Sequence, residues 1–167
     1  MSVLRKIDEH LEEVPMALLL ILMVLCSGAQ VFMRYVVNSS LAWSEELSRY
    51  SFVWSGFFAI GYAYRKGSSL RIDAFVTILP KKVQKFLGLF NDVLGIILFV
   101  ILLRASGNVI VEMSATGQVS SAMRMPIQGL YMAPIVGFII AIYRLIQSIV
   151  KTLMDIAGKK PDGGEKI

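Results

Sequence analysis

The chain has 167 residues, of which 56% are hydrophobic and only 17% charged, with a formal net charge of +5. That is too apolar for an ordinary soluble domain. One cysteine (Cys26) and one histidine (His10) exclude an internal disulfide, a four-ligand Cys/His metal centre and a haem held between two histidines.

Residues 1–13, with Asp8, Glu9, Glu12 and Glu13, read as a short polar lead-in. Residues 14–33 follow without a single charge, enough to span a bilayer core of about 30 Å. Arg5 and Lys6 before an apolar run, with Ser27-Gly28-Ala29 after it, imitate a signal peptide. The run continues through Val31-Phe32-Met33, longer than a signal core, so it reads as a retained anchor. The first helix is expected over about 14–37, with Pro15 in its first turn, where proline is tolerated. Asn38-Ser39-Ser40 makes a tight turn, with Ser40 a candidate N-cap for the next helix.

The second helix, expected over about 42–65, opens on charge: Trp43-Ser44-Glu45-Glu46-Leu47-Ser48-Arg49-Tyr50. Its uncharged part, residues 51–64, is about 21 Å of helix at 1.5 Å per residue, too short to span alone. The charged turns are therefore drawn into or beside the bilayer, where ionisable groups need partners or protein cover. At 100° per residue, Glu45, Arg49, Gly56 and Ala63 share one face, while Trp43, Tyr50, Trp54 and Phe57 share nearly the opposite one. Small residues suit close helix contact, and the aromatics suit lipid or a partner's groove. Either Glu45 or Glu46 can pair with Arg49 along the helix surface. Trp43 reads as an interfacial aromatic, and Trp54 as packing deeper against lipid or a partner. Arg34 beside Tyr35 marks the end of the first helix, with a helix-two carboxylate as the expected partner.

Ile72, Phe75, Val76 and Leu79 recur at helical spacing before Pro80, which predicts a short amphipathic interfacial helix over about 69–79. The third helix is expected over about 81–106, either tilting or breaking at Gly107 if it runs on toward Glu112. Gly88, Asp92, Gly95 and Phe99 share one of its faces, so Asp92 points at a neighbouring helix, with a Ser or Lys as the expected partner. Residues 104–125 are expected to form a connection, the fourth helix to cover about 126–151, and 159–167 to be a disordered tail.

The fold class is thus an all-α integral membrane protein with four transmembrane helices in one domain, residues 1–158. With the N-terminus inside, 13 Lys and Arg fall on one side of the membrane and four on the other, which places both termini in the cytoplasm. The six basic residues between helices two and three (Arg65, Lys66, Arg71, Lys81, Lys82 and Lys85) are expected to face anionic headgroups. Membrane lipids account for the net charge, and no nucleic-acid partner is needed.

Phe32-Met33-Arg34-Tyr35 followed by Leu41-Ala42-Trp43-Ser44-Glu45-Glu46-Leu47-Ser48-Arg49-Tyr50 and Phe52-Val53-Trp54 resembles the small, four-helix (Q-type, DctQ-like) subunit of tripartite ATP-independent periplasmic (TRAP) transporters. The family's Arg-x-Gly-x-His-Ile-x-Val-Asp stretch is matched by Arg65, Gly67, Ile72 and Asp73, with Ser69 where His is common and Leu70 where Ile is common. The motif covers about residues 32–73. The resemblance implies a non-catalytic subunit of the bacterial inner membrane, partnered by a large sodium-coupled transport subunit and a periplasmic binding protein that delivers an organic acid. It implies no cofactor and no direct small-molecule substrate on this chain. Trp43, Glu45, Glu46, Arg49, Tyr50, Trp54, Arg34 and Asp92 are then the candidates for partner contact or structural ion pairing. The competing reading is a small transporter or channel that self-assembles with a pore between copies. A membrane enzyme, or its anchor, is disfavoured by the lack of a nucleophile–His or metal set.

Overall fold

The computed structural model describes residues 12–65 and 80–156, which form four α-helices: α1 Glu13–Val36, α2 Ala42–Arg65, α3 Lys81–Thr116 and α4 Gln128–Ile156. Three of them, α1, α3 and α4, are long and apolar enough to cross a membrane, whereas the charged opening of α2 lowers its hydropathy. The predicted interfacial helix over 69–79, the tail over 159–167 and most of the polar lead-in lie outside the described residues.

Local chemistry explains the helix ends. At the end of α1, Asn38 adopts a left-handed φ of 54° and the Ser39 N–H donates to the Met33 carbonyl at 3.1 Å, turning the chain toward α2. Ser40 does not head α2. The helix starts at Ala42, and the buried Ser44 hydroxyl donates back to the Leu41 carbonyl at 2.8 Å. Pro80 precedes α3, where its carbonyl accepts from Val83 at 2.8 Å.

Gly107 does not break α3. The helix continues to Thr116 and stops at Gly117, whose φ of 60° is the left-handed geometry that ends helices at glycine. Much of the stretch expected as a connection is therefore helical. Only residues 117–127 connect α3 to α4, folded back on themselves as a small hairpin. In it the Ser120 N–H donates to the Met125 carbonyl at 2.8 Å, and Val119 bridges Pro126. α4 begins just after, and it runs unbroken across Pro134 and on to Ile156, beyond the 151 expected.

The helices are arranged as a row, with α1 packed on α2, α2 on α4 and α4 on α3. α4 sits inside the row, with a third of its apolar window buried, whereas almost none of α1's is. The core lies where α2, α3 and α4 meet, around Phe99, Phe138, Ala141 and Leu145, with Phe57, Ile60 and Tyr64 packed against them. Phe57 and Phe138 meet edge to face at 5.5 Å, and Tyr64 and Phe99 at 5.6 Å. Two glycines permit the α2–α4 approach. A Cβ on Gly137 would lie 2.7 Å from the Phe57 Cβ, and one on Gly61 would collide with Ile140. The aromatic side chains Trp54 and Phe57, expected to face lipid or a partner, are turned toward α4 of their own chain.

Candidate functional site

The polar residues of the helices gather at the two ends of the row. At the hairpin end, Glu45 and Glu46 are neighbours in sequence and so point about 100° apart around α2. Glu45 pairs with Arg49 at 3.2 Å, one helical turn away, and both side chains stay about two-thirds exposed. Gln30 of α1 approaches the same carboxylate at 3.5 Å, the long limit of a hydrogen bond. Glu46 turns the other way. Its carboxylate accepts the backbone N–H groups of Ala122 at 3.1 Å and Met123 at 2.8 Å, clamping the tip of the hairpin to α2. Backbone donors to an ionised acceptor make strong hydrogen bonds with fixed geometry. Eight residues further along α2, the Trp54 indole N–H donates to the Gly129 carbonyl at 3.1 Å, tying α2 to the first turn of α4.

The remaining candidates at this end are less engaged. Trp43 is exposed and Tyr50 half-buried. Arg34 is exposed in the last turn of α1 and forms no ion pair among the described residues. The structure does not bring it to a helix-two carboxylate; a cation there suits the helix C-terminus without one.

The other end of the row holds a larger assembly. Glu12, just ahead of α1, is fully buried, and its carboxylate accepts from the Arg144 Nε of α4 at 2.6 Å. Arg65, the last residue of α2, approaches the second carboxylate oxygen at 3.6 Å and reaches Glu13 at 4.0 Å. Arg144 also donates to Gln147 at 2.8 Å. One turn further along α4, the Ser148 hydroxyl donates to the buried Asp92 of α3 at 2.7 Å. Lys85 and Asp155 close the open end of the α3–α4 pair at 2.5 Å. All four helices thus contribute to a polar girdle at the end where α1 begins and α4 finishes. A buried ion pair costs much desolvation, which good geometry and further hydrogen bonds must offset. Here Arg144 donates to both Glu12 and Gln147, whereas the second Glu12 oxygen and Arg65 Nη1 face each other at 3.6 Å as an ion pair without a hydrogen bond.

Reading the sequence missed this girdle. Glu12 reads as part of a short polar lead-in and Arg144 as a marker of topology. Arg65 is expected to face lipid, yet its side chain is largely buried against Glu12. Lys85, expected to do the same, pairs with Asp155. Lys66 and Arg71 lie outside the described residues, and Lys81 and Lys82 only begin α3. A signal was present: Glu12, Arg65 and Arg144 each stand where an apolar run meets polar sequence, which puts them at one level once the helices pack.

These features define a helical membrane protein whose polar side chains fasten its own helices and hairpin together. The family model for the DctQ component of tripartite ATP-independent periplasmic transporters matches residues 23–155, and the chain belongs to that family. It resides in the inner membrane. It is 26% identical over 143 residues to the ectoine TRAP transporter small permease protein TeaB of Halomonas elongata, covering 86% of this chain and 74% of that protein. Over 66 residues it is 39% identical to the sialic acid TRAP transporter permease protein SiaT of Haemophilus influenzae, 40% of this chain and 11% of that one. Over 111 residues it is 28% identical to the isethionate TRAP transporter permease protein DctMQ of Oleidesulfovibrio alaskensis, 66% of this chain and 18% of that one. The chain thus spans only a small part of these two permeases.

Proposed function

We propose that this chain is the small, non-catalytic membrane subunit of a TRAP transporter. It scaffolds a large sodium-coupled transport subunit and helps dock a periplasmic substrate-binding protein. The observation that carries this reading is the use made of the polar side chains: Glu12, Arg144, Asp92, Glu46 and Trp54 are each bonded within the chain, joining one element to another. Such side chains brace a platform; they do not line a path for a solute. The relatives named for sialic acid and isethionate support organic acids as the transported class.

In this reading α2 is the fourth span. Its 24 residues give about 36 Å of helix, enough for the bilayer core with its first turns at the surface. The charge distribution supports cytoplasmic termini, so the girdle lies toward the cytoplasm and the hairpin faces the periplasm. The 36 residues of α3, about 54 Å of helix, then tilt or extend past the hydrocarbon core.

The test is co-expression of the tagged chain with the large permease subunit and reconstitution in proteoliposomes. Co-purification, with transport that needs both subunits, is the expected result. A homo-oligomer that conducts by itself would replace this reading with the self-assembled channel. Orientation is tested separately: cysteines at Ser39 and Val119 should react with an impermeant thiol reagent in intact spheroplasts, and one at Lys160 only after permeabilisation.

A further inference from the structure

From the packing of α2 we infer that its open face is the seat of the large transport subunit. This inference rests on the proposed function and adds to it which surface of the small subunit does the scaffolding.

The face is a stripe along the whole of α2: Glu45, Arg49, Phe52, Gly56, Ala59 and Ala63, spaced three and four residues apart. α1 and α4 cover other sides of the helix. Ser44, Ser51, Ser55 and Gly61 are buried, and Phe57 is pressed on Gly137. The stripe is left uncovered from Glu45 to Gly56, and Ala59 and Ala63 beyond it are half-buried. The Glu45 and Arg49 side chains are 60% and 66% exposed, Phe52 is 61% exposed, and a Cβ on Gly56 would meet nothing within 4 Å.

Lipid suits this stripe less well than it suits the rest of the surface. The open faces of α1 and α3 carry bulky aliphatic and aromatic side chains such as Leu18, Val24, Phe86, Phe90 and Ile97, chemically equivalent to acyl chains. The α2 stripe combines an ion pair at the hairpin end with small residues along the rest. The first is costly against hydrocarbon, and the second lets another helix backbone come close. The occupant is therefore a transmembrane helix with polar groups at the level of Glu45 and Arg49 and a large apolar side chain over Gly56. The relatives point to its source. In two of them a region similar to this chain is 11% and 18% of a much longer permease, so the rest of that permease shares its polypeptide.

Gly28 of α1, Gly56 of α2 and Gly107 of α3 each have open space where a side chain would go, but they stand on three different helices. Replacing each by Leu in the tagged, co-expressed complex isolates the face. Leucine favours helix over glycine, so the isolated chain should keep its helicity and unfolding midpoint in all three. G56L should lower the amount of large subunit recovered about tenfold, as overpacking at a close helix contact would, whereas G28L and G107L should stay within about twofold of wild type. Full recovery with G56L, or equal losses in all three, would overturn the assignment. A photoreactive residue at Phe52 is a second readout, insensitive to stability. Crosslinking to the large subunit supports the seat, and crosslinking only to lipid or to a second copy of this chain refutes it. Failure of the wild-type pair to co-purify would instead bring down the proposed function, and this surface with it.

Discussion

The two ends of the helix row handle charge in opposite ways. Where α1 begins, Glu12 and Arg144 are almost wholly withdrawn from solvent; Arg144 donates to Glu12 and to Gln147, and Arg65 adds a second charge 3.6 Å from the Glu12 carboxylate. At the hairpin end Glu45 and Arg49 form an exposed pair on one helix, with Gln30 of α1 at the long limit of a hydrogen bond to Glu45, and Glu46 is held by the hairpin backbone. The first end joins all four helices through buried charge. The second leaves charge on offer to whatever sits beside it. An ion pair's consequence thus follows from what else its groups touch, more than from its separation.

That contrast can be broken most sharply at Glu12. Glu12→Gln takes from the buried Arg144 the carboxylate its Nε donates to, which should cost about 3 kcal/mol or more of stability. Unfolding of the isolated chain in detergent would report it as a large drop in midpoint. Glu12→Met with Arg144→Met removes both charges and should recover most of the loss. A single variant as stable as wild type would show that the girdle holds nothing together.

A smaller effect is expected at the α2–α4 contact. Gly137→Val drives a side chain into Phe57 and should cost about 1–3 kcal/mol by the same measurement, because helices packed this closely can part only by losing the contacts around Phe138. Smaller again is Glu46→Gln. It should leave the helices intact while the hairpin is cut severalfold faster by added protease, since loss of the ionised acceptor weakens two backbone hydrogen bonds. An unchanged cleavage rate would mean that the hairpin holds its shape without α2. Smallest of all is Arg49→Ala. In the isolated chain it should change stability by less than about 1 kcal/mol, as an exposed pair on one helix does. In the assembled transporter it should reduce recovery of the large subunit more than Arg104→Ala or Arg124→Ala. Equal effects of the three would sever Arg49 from assembly.

The helices themselves were legible in the sequence because apolar runs of this length have few other uses. α2 falls over the expected range of about 42–65, bracketed by its charged opening and Arg65, although Ser40 does not cap it. The overrun of α3 was not. A lone glycine costs only about 1 kcal/mol in a helix, and Gly107 is flanked by residues that continue the helix comfortably. The periodicity of α2 put Glu45, Arg49, Gly56 and Ala63 together on one face and the aromatics on another, but a helical wheel says nothing of which face the neighbours choose. The structure reverses the natural guess. Trp54 and Phe57 face α4, and the charged stripe from Glu45 to Gly56 is left open. Glu12 was unreadable for a related reason. Ahead of a span, a carboxylate next to solvent and a carboxylate under two arginines look the same until the other helix ends are placed beside it.

The scaffold account is tested most directly by transport kinetics of the assembled complex carrying Asp92→Asn. Asp92 is buried about three turns into α3, where the Ser148 hydroxyl of α4 donates to it. Bracing predicts fewer assembled complexes, each with an unchanged KM for substrate and unchanged dependence on sodium. A shifted KM or sodium dependence in complexes assembled at full yield would contradict it and place this chain on the solute's path.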